Sequence, residues 1–171
     1  MIFNRTFAMP SADTFSVKPI GEFVRRYLAA SYRSIDPFAR NKEWATRTND
    51  LNPDTLAQFH LDAEKFCDLM GFTEDKFDLG IFDPPYSPRQ ISECYKSVGR
   101  EVGMVGTQNG ALYRRVREAL DPIISPGGIV LSFGWNSAGM GKGRNYEIIE
   151  ILLVNHGGGH TDTICLAERK L

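Results

Sequence analysis

Apolar and polar positions follow two rhythms along this chain. Ile20, Phe23, Val24, Tyr27 and Leu28 recur at three- and four-residue spacing, which predicts a helix with one apolar face. Pro19 suits its first turn, where the missing N–H is not needed. Short continuous apolar runs instead predict strands: "RSIDPF", "ATRTND", "KFDLGIF", "IVLSFGW", "YEIIEILLVN" and "DTICLAERK", with a brief one at 59–61. Further helices are expected in "DTLAQF", from about Ala63, over "ISECYKSV" and over "LYRRVREAL". The residues ahead of the first helix read as a polar arm, "GREVGMVGTQNG" as a loop, and "SPGG" as a stop before "IVLSFGW". Strands alternating with helices predict an α/β fold, with a mostly parallel seven-stranded sheet and a C-terminal antiparallel hairpin turning at "HGGGH".

Composition narrows the function classes. The 171 residues suit one domain with a single core. A net charge of −1 supplies no global basic field, so a polyanion would have to be met by local patches. Cys67, Cys94 and Cys165 are scattered without metal-ligand spacing, which suggests a reducing, cytoplasmic setting. The first residues lack a signal-peptide core, and no apolar run is long enough for a membrane helix. His156 and His160 flank three glycines and read as a hairpin tip rather than a metal pair, so no metal is expected.

The chemistry concentrates where strands end. Ligands of open α/β sheets bind beyond the carboxyl ends of the strands. Four predicted strands end there in Asp36-Pro37-Phe38, Asp50, Asp62 and Asp83-Pro84-Pro85-Tyr86. Two prolines cannot continue a sheet ladder. Placed after a carboxylate and before an aromatic ring, they point to a carbonyl held in a fixed direction. A plain strand-ending turn is the alternative, and Asp50 or Asp62 could each cap a helix.

The order "KP", "DPF", "DPPY" and "SPGGIVLSF" resembles the S-adenosylmethionine-dependent amino-methyltransferases, chiefly the adenine-specific DNA methyltransferases. It is most similar to the small N(6)-adenine methylases carried by bacteriophages. The resemblance implies a Rossmann-like class I methyltransferase fold, S-adenosyl-L-methionine as cofactor, and DNA as partner. It also implies roles. The Asp83 carboxylate and Pro84 carbonyl would accept the hydrogens of the adenine amine, Pro85 would stiffen the corner, and Tyr86 would stack on the base. Asp50 would take the cofactor's ribose and Asp62 its adenine amine. Lys18, Asp36, Pro37 and Phe38 would surround the methionine moiety. The chain departs from the family in "DPFARNKEWATRTND", which has no glycine and is too short for a helix. Arg40 is then expected to pair the cofactor's carboxylate, and Asn41 to adopt a left-handed conformation. The glycine-rich link from Trp135 to Tyr146 is equally short, so the flanking helices are expected to be partly reduced.

Arg89, Lys142 and Arg144 are the candidates for phosphate contacts, against a plain solvated surface. No separate target-recognition domain is expected; the segment 87–110 is the candidate for reading bases. Methylation of an RNA amino group or of cytosine in DNA stays open. So do a catalytically silent nucleic-acid-binding subunit, a protein partner and a homodimer.

Overall fold

The computed structural model describes residues 1–73, 75–99 and 109–171, without the side chains of 109, 110 and 142. Among these residues seven strands form one sheet: β1 (Ile2–Phe7), β2 (Ser34–Asp36), β3 (Arg47–Thr48), β4 (Phe77–Phe82), β5 (Ile124–Gly134), β6 (Tyr146–Asn155) and β7 (Thr163–Lys170). Their order across the sheet is β1-β6-β7-β5-β4-β2-β3. Only β7 runs against its neighbours, β5 and β6. The expected mostly parallel sheet with a terminal antiparallel hairpin is therefore the fold observed.

Among the described residues four helices accompany the sheet: α1 (Lys18–Ala29), α2 (Ala63–Thr73), α3 (Pro88–Ser97) and α4 (Asn109–Leu120). One buried cluster joins Phe15, Ile20, Phe23 and Val24 from the α1 side to Leu79, Leu131 and Phe133 of the sheet. The other joins Phe66 and Met70 of α2 and Val116 and Leu120 of α4 to Phe77 and Phe82. Phe66, Phe77 and Phe82 are fully buried, and each contributes about 1.5–3 kcal/mol through water excluded from its ring.

The count of seven strands arises differently from the expectation. The N-terminal arm is not a polar coil but β1, paired in parallel with β6 along its whole length. The expected strand at 59–61 shrinks to a single bridge between Phe59 and Asn49. "DTLAQF" forms turns rather than a helix, because its backbone bonds go to Asn52, Thr48 and Asn41 instead of to the next helical turn. "SPGG" does not precede β5 but lies inside it. The register with β4 jumps from Ile124 to Ile129, and Gly127 at φ 79° takes the bulge's left-handed turn. Helices are absent between β2 and β3 and between β5 and β6, where a 3-10 turn at Lys142–Arg144 is the one helical element. That reduction was expected. Residues 100–108 of the loop "GREVGMVGTQNG", and with them part of the proposed base-reading segment, lie outside the described residues.

Candidate active site at the carboxyl ends of the strands

The ends of β2, β3, β4 and β5 and the β6–β7 turn open into one cleft of about 910 Å³. That is near the upper end of ligand-pocket volumes, roughly 300–1,000 Å³, and leaves room for two ligands side by side. Phe38, Asp50 and Asp62 line one flank. Asp83, Pro84, Pro85 and Tyr86 stand in the middle, with Trp135 and His160 beyond them. The segment from Pro10 to Thr14 closes a side of the cleft.

The corner after β4 is held from several directions. Ser87 caps α3, and the Gln90 side chain reaches back to the Ser87 and Tyr86 N–H groups. The Tyr113 hydroxyl donates to the Pro85 carbonyl at 3.0 Å. The Tyr86 hydroxyl donates to Asp83 Oδ1 at 2.5 Å, and the Tyr86 ring meets Trp135 edge-on, with centroids 5.7 Å apart. Tyr86 therefore braces the carboxylate here, rather than offering an open ring face alone. Burial pushes the Asp83 carboxyl up to about 6; hydrogen bonds from Tyr86 and Thr14 and the charge of Arg40 oppose the rise. At neutral pH it remains a carboxylate, an acceptor fixed against a rigid proline pair.

The other flank depends on a residue the sequence reading passed over. Asn49 is wholly buried. Its amide donates to the carbonyls of Pro37 and Leu61, at 3.1 and 3.0 Å, and accepts the Leu61 N–H at 2.9 Å. Its backbone bonds Asp36 and Ala39. One side chain thus ties the ends of β2 and β3 to the Asp62 loop, where the missing helices would otherwise have fixed them. Asp50 accepts the N–H groups of Arg40 and Asn52 at 3.1 and 2.9 Å. Asp62 accepts the Tyr95 hydroxyl at 2.6 Å. A carboxylate has about four acceptor positions, so both acids keep capacity for a ligand's donors. The signal for Asn49 was present as an asparagine beside Asp50, but nothing local marks it as buried.

Several expected positions fall elsewhere. Lys18 lies outside the cleft, its side chain 85% exposed and 4.0 Å from Glu22. Asp36 is buried beneath the cleft surface and accepts the Phe38 N–H at 2.9 Å. Burial raises its carboxyl well above the usual range, and the charges of Asp83 and Asp50 add to the rise. Arg40, not Asn41, takes the left-handed backbone, at φ 52°. Its guanidinium donates to the Ala12 carbonyl, so in this arrangement it fastens the N-terminal segment. Pro37, Phe38, Arg40, Asp50 and Asp62 do line the cleft, together with the four residues of the corner.

Of the phosphate candidates, Arg89 is ion-paired to Glu93 at 2.7 Å, and Arg144 lies 3.8 Å from Glu118 and donates to the Met140 carbonyl. The Lys142 side chain lies outside the described residues. His156 is buried, bonded to the Ala8 carbonyl and the Thr163 hydroxyl, which ties β1 to the final hairpin. No cluster that could hold a metal occurs among the described residues.

No protein-family model and no curated protein matches the sequence. Solved structures do match the fold. TrmN from Thermus thermophilus superposes with a TM-score of 0.58 at 14% identity, covering 89% of this chain and 48% of that one. The N-methyltransferase NodS from Bradyrhizobium japonicum, in complex with S-adenosyl-L-homocysteine, gives 0.59 at 10% identity, over 94% and 89% of the two chains. A putative methyltransferase from Streptococcus mutans, also with S-adenosyl-L-homocysteine, gives 0.53 at 14%, over 88% and 97%. The chain thus spans about half the length of TrmN and most of the other two. The architecture is the Rossmann-like class I methyltransferase fold.

Proposed function

We propose that this chain is a methyltransferase that moves a methyl group from S-adenosyl-L-methionine to the exocyclic amine of adenine in DNA. One observation carries the reading: the acid-proline-proline-tyrosine corner stands in the middle of the cleft, with a carboxylate-lined flank on one side and an aromatic one on the other. The fold and the ligands of its structural neighbours support it.

The residues fit the cofactor. Asp50 and Asp62 present acceptors to hydroxyl and amine groups, and Phe38 gives an apolar wall. The cofactor would supply an electrophilic methyl group on a sulfonium. This chain's own part is to hold the nucleophile. An adenine amine is a poor nucleophile, because its lone pair is delocalised into the ring. Asp83 and the Pro84 carbonyl, accepting its two hydrogens, would favour a pyramidal nitrogen aimed at the methyl group, and fixed geometry lowers the barrier. Tyr86 and Trp135 offer planar surfaces to a base turned out of its stack, and stacking of about 1–3 kcal/mol per base offsets part of the unstacking cost.

A second reading, an amine on an unpaired base in RNA, is favoured by the pairing of Arg89 and Arg144 with nearby glutamates. Those cations are partly neutralised, which suits a substrate with fewer phosphates to hold. Mass spectrometry of nucleosides from cells expressing the protein, with Asp83→Ala as control, separates the readings. N(6)-methyladenine in DNA is expected. Its appearance in RNA alone supports the second reading, and its absence from both refutes the assignment.

A further inference from the structure

β1 ends the sheet, and no other strand lies beside its outer edge among the described residues. Natural sheets protect such edges with short strands, prolines, bulges or charges. The opposite edge follows that rule, since β3 is two residues long. β1 does not. It keeps an unbroken register with β6 over six residues, has no proline, and carries one charge, Arg5. Its apolar side chains are open to solvent: Ile2 is 57% exposed, Phe3 59% and Phe7 61%, with Met9 just beyond at 69%. The link from β5 to β6 contributes only a 3-10 turn, so no helix from it covers this end of the sheet.

The edge also has a definite parity. The Ala8 N–H donates to the Asn155 carbonyl at 3.1 Å. Alternation along the strand then turns the backbone groups of Phe3, Arg5 and Phe7 outward. We propose that two copies of this chain pair antiparallel through β1, with their Asn4 residues facing each other across the dimer axis. Outward groups can bond only odd residues to odd residues. A centre at Arg5 would set two arginines directly opposite, which is unfavourable. The centre at Asn4 sets Phe3 against Arg5 and Ile2 against Thr6, all within the strand, with no like charges opposed. Arg5 then lies beside the ring of Phe3, an attractive pairing of cation and aromatic face.

The area suffices. With roughly 150–250 Å² for a whole aromatic side chain, the exposed parts of Met1, Ile2, Phe3 and Phe7 with their neighbours offer on the order of 500 Å² per copy. Two copies reach about 1,000 Å², the threshold for a specific interface. A second copy is the occupant because the strand complements itself in this register and brings its own apolar surface. The proposal is independent of the methyl-transfer reading.

Light scattering on the full chain at micromolar concentration is expected to give twice the 19.2 kDa monomer mass. Phe3→Lys sets a lysine opposite Arg5 of the second copy and is expected to halve that mass, with the circular dichroism unchanged. Facing residues of a non-hydrogen-bonded pair lie about 4.5 Å apart at Cα, within disulfide range. Asn4→Cys, in a Cys94→Ser background, is therefore expected to cross-link on oxidation. A monomeric wild type, a dimer that Phe3→Lys leaves intact, or cross-linking through Thr6→Cys in place of Asn4→Cys would overturn the proposal.

Discussion

The hydroxyl of Tyr86 is the sharpest place to test the proposed chemistry. Tyr86→Phe keeps the ring beside Trp135 and removes the hydroxyl that donates to Asp83. A hydrogen bond to a charged group contributes roughly 1.5–3 kcal/mol, and each pKa unit corresponds to about 1.36 kcal/mol. Thr14 also bonds Asp83 and takes up part of the loss. The Asp83 carboxyl, already raised to about 6 by burial, should therefore rise by about one further unit. Methyl transfer needs the carboxylate as an acceptor, so activity should increase with pH as Asp83 ionises. The pH profile of kcat/KM reports groups of the free enzyme. The wild type should show an acidic limb near 6, and Tyr86→Phe the same limb displaced upward. Near pH 5 the variant should lose about tenfold; near pH 8, where Asp83 is ionised in both, the two should converge. A limb that stays in place, or a loss equal at every pH, would sink the reasoning. The second outcome would mean that the hydroxyl touches substrate instead.

Other outcomes follow from the same geometry. Asp83 has a folded pKa of about 6, above its ordinary value of 3.8, so its contribution to stability is present below about 3.8 and lost as pH rises through 6. Asp83→Asn should thus stabilise the fold by on the order of 2 kcal/mol at neutral pH while abolishing transfer, measured by urea melts at pH 4 and pH 7. Asn49→Ala leaves the Pro37 and Leu61 carbonyls and the Leu61 N–H without their partner. At about 1–3 kcal/mol per orphaned group, a lowered Tm and at least tenfold weaker S-adenosylmethionine binding by calorimetry are expected. Gly139→Ala would drive a methyl group into the buried Glu168 carboxylate at a backbone φ of +47°. A loss of several kcal/mol in denaturant unfolding is expected, from the clash and from strain in the left-handed conformation.

Much of this was legible in the linear pattern, for physical reasons. α1, β4 and β6 have local signatures, because an apolar stripe or run must be buried and its period dictates the element. The corner at Asp83–Tyr86 was legible too, since two prolines after an apolar strand leave few conformations. The shortness of 37–46 and of 135–145 pointed to reduced helices there.

What the sequence could not announce depends on partners distant along the chain. "IFNRTF" carries no strand alternation strong enough to separate it from coil; it becomes β1 because β6, about 150 residues later, presents a free edge. Asn49 is an ordinary polar residue until Pro37 and Leu61 converge on its amide. Arg40, expected at a ligand, lines the cleft and also fastens Ala12, because the chain before α1 returns across the cleft. Local periodicity records what a residue must bury. Which neighbour satisfies its remaining hydrogen bonds and charge is decided only when remote segments meet, and at this cleft those meetings set the geometry.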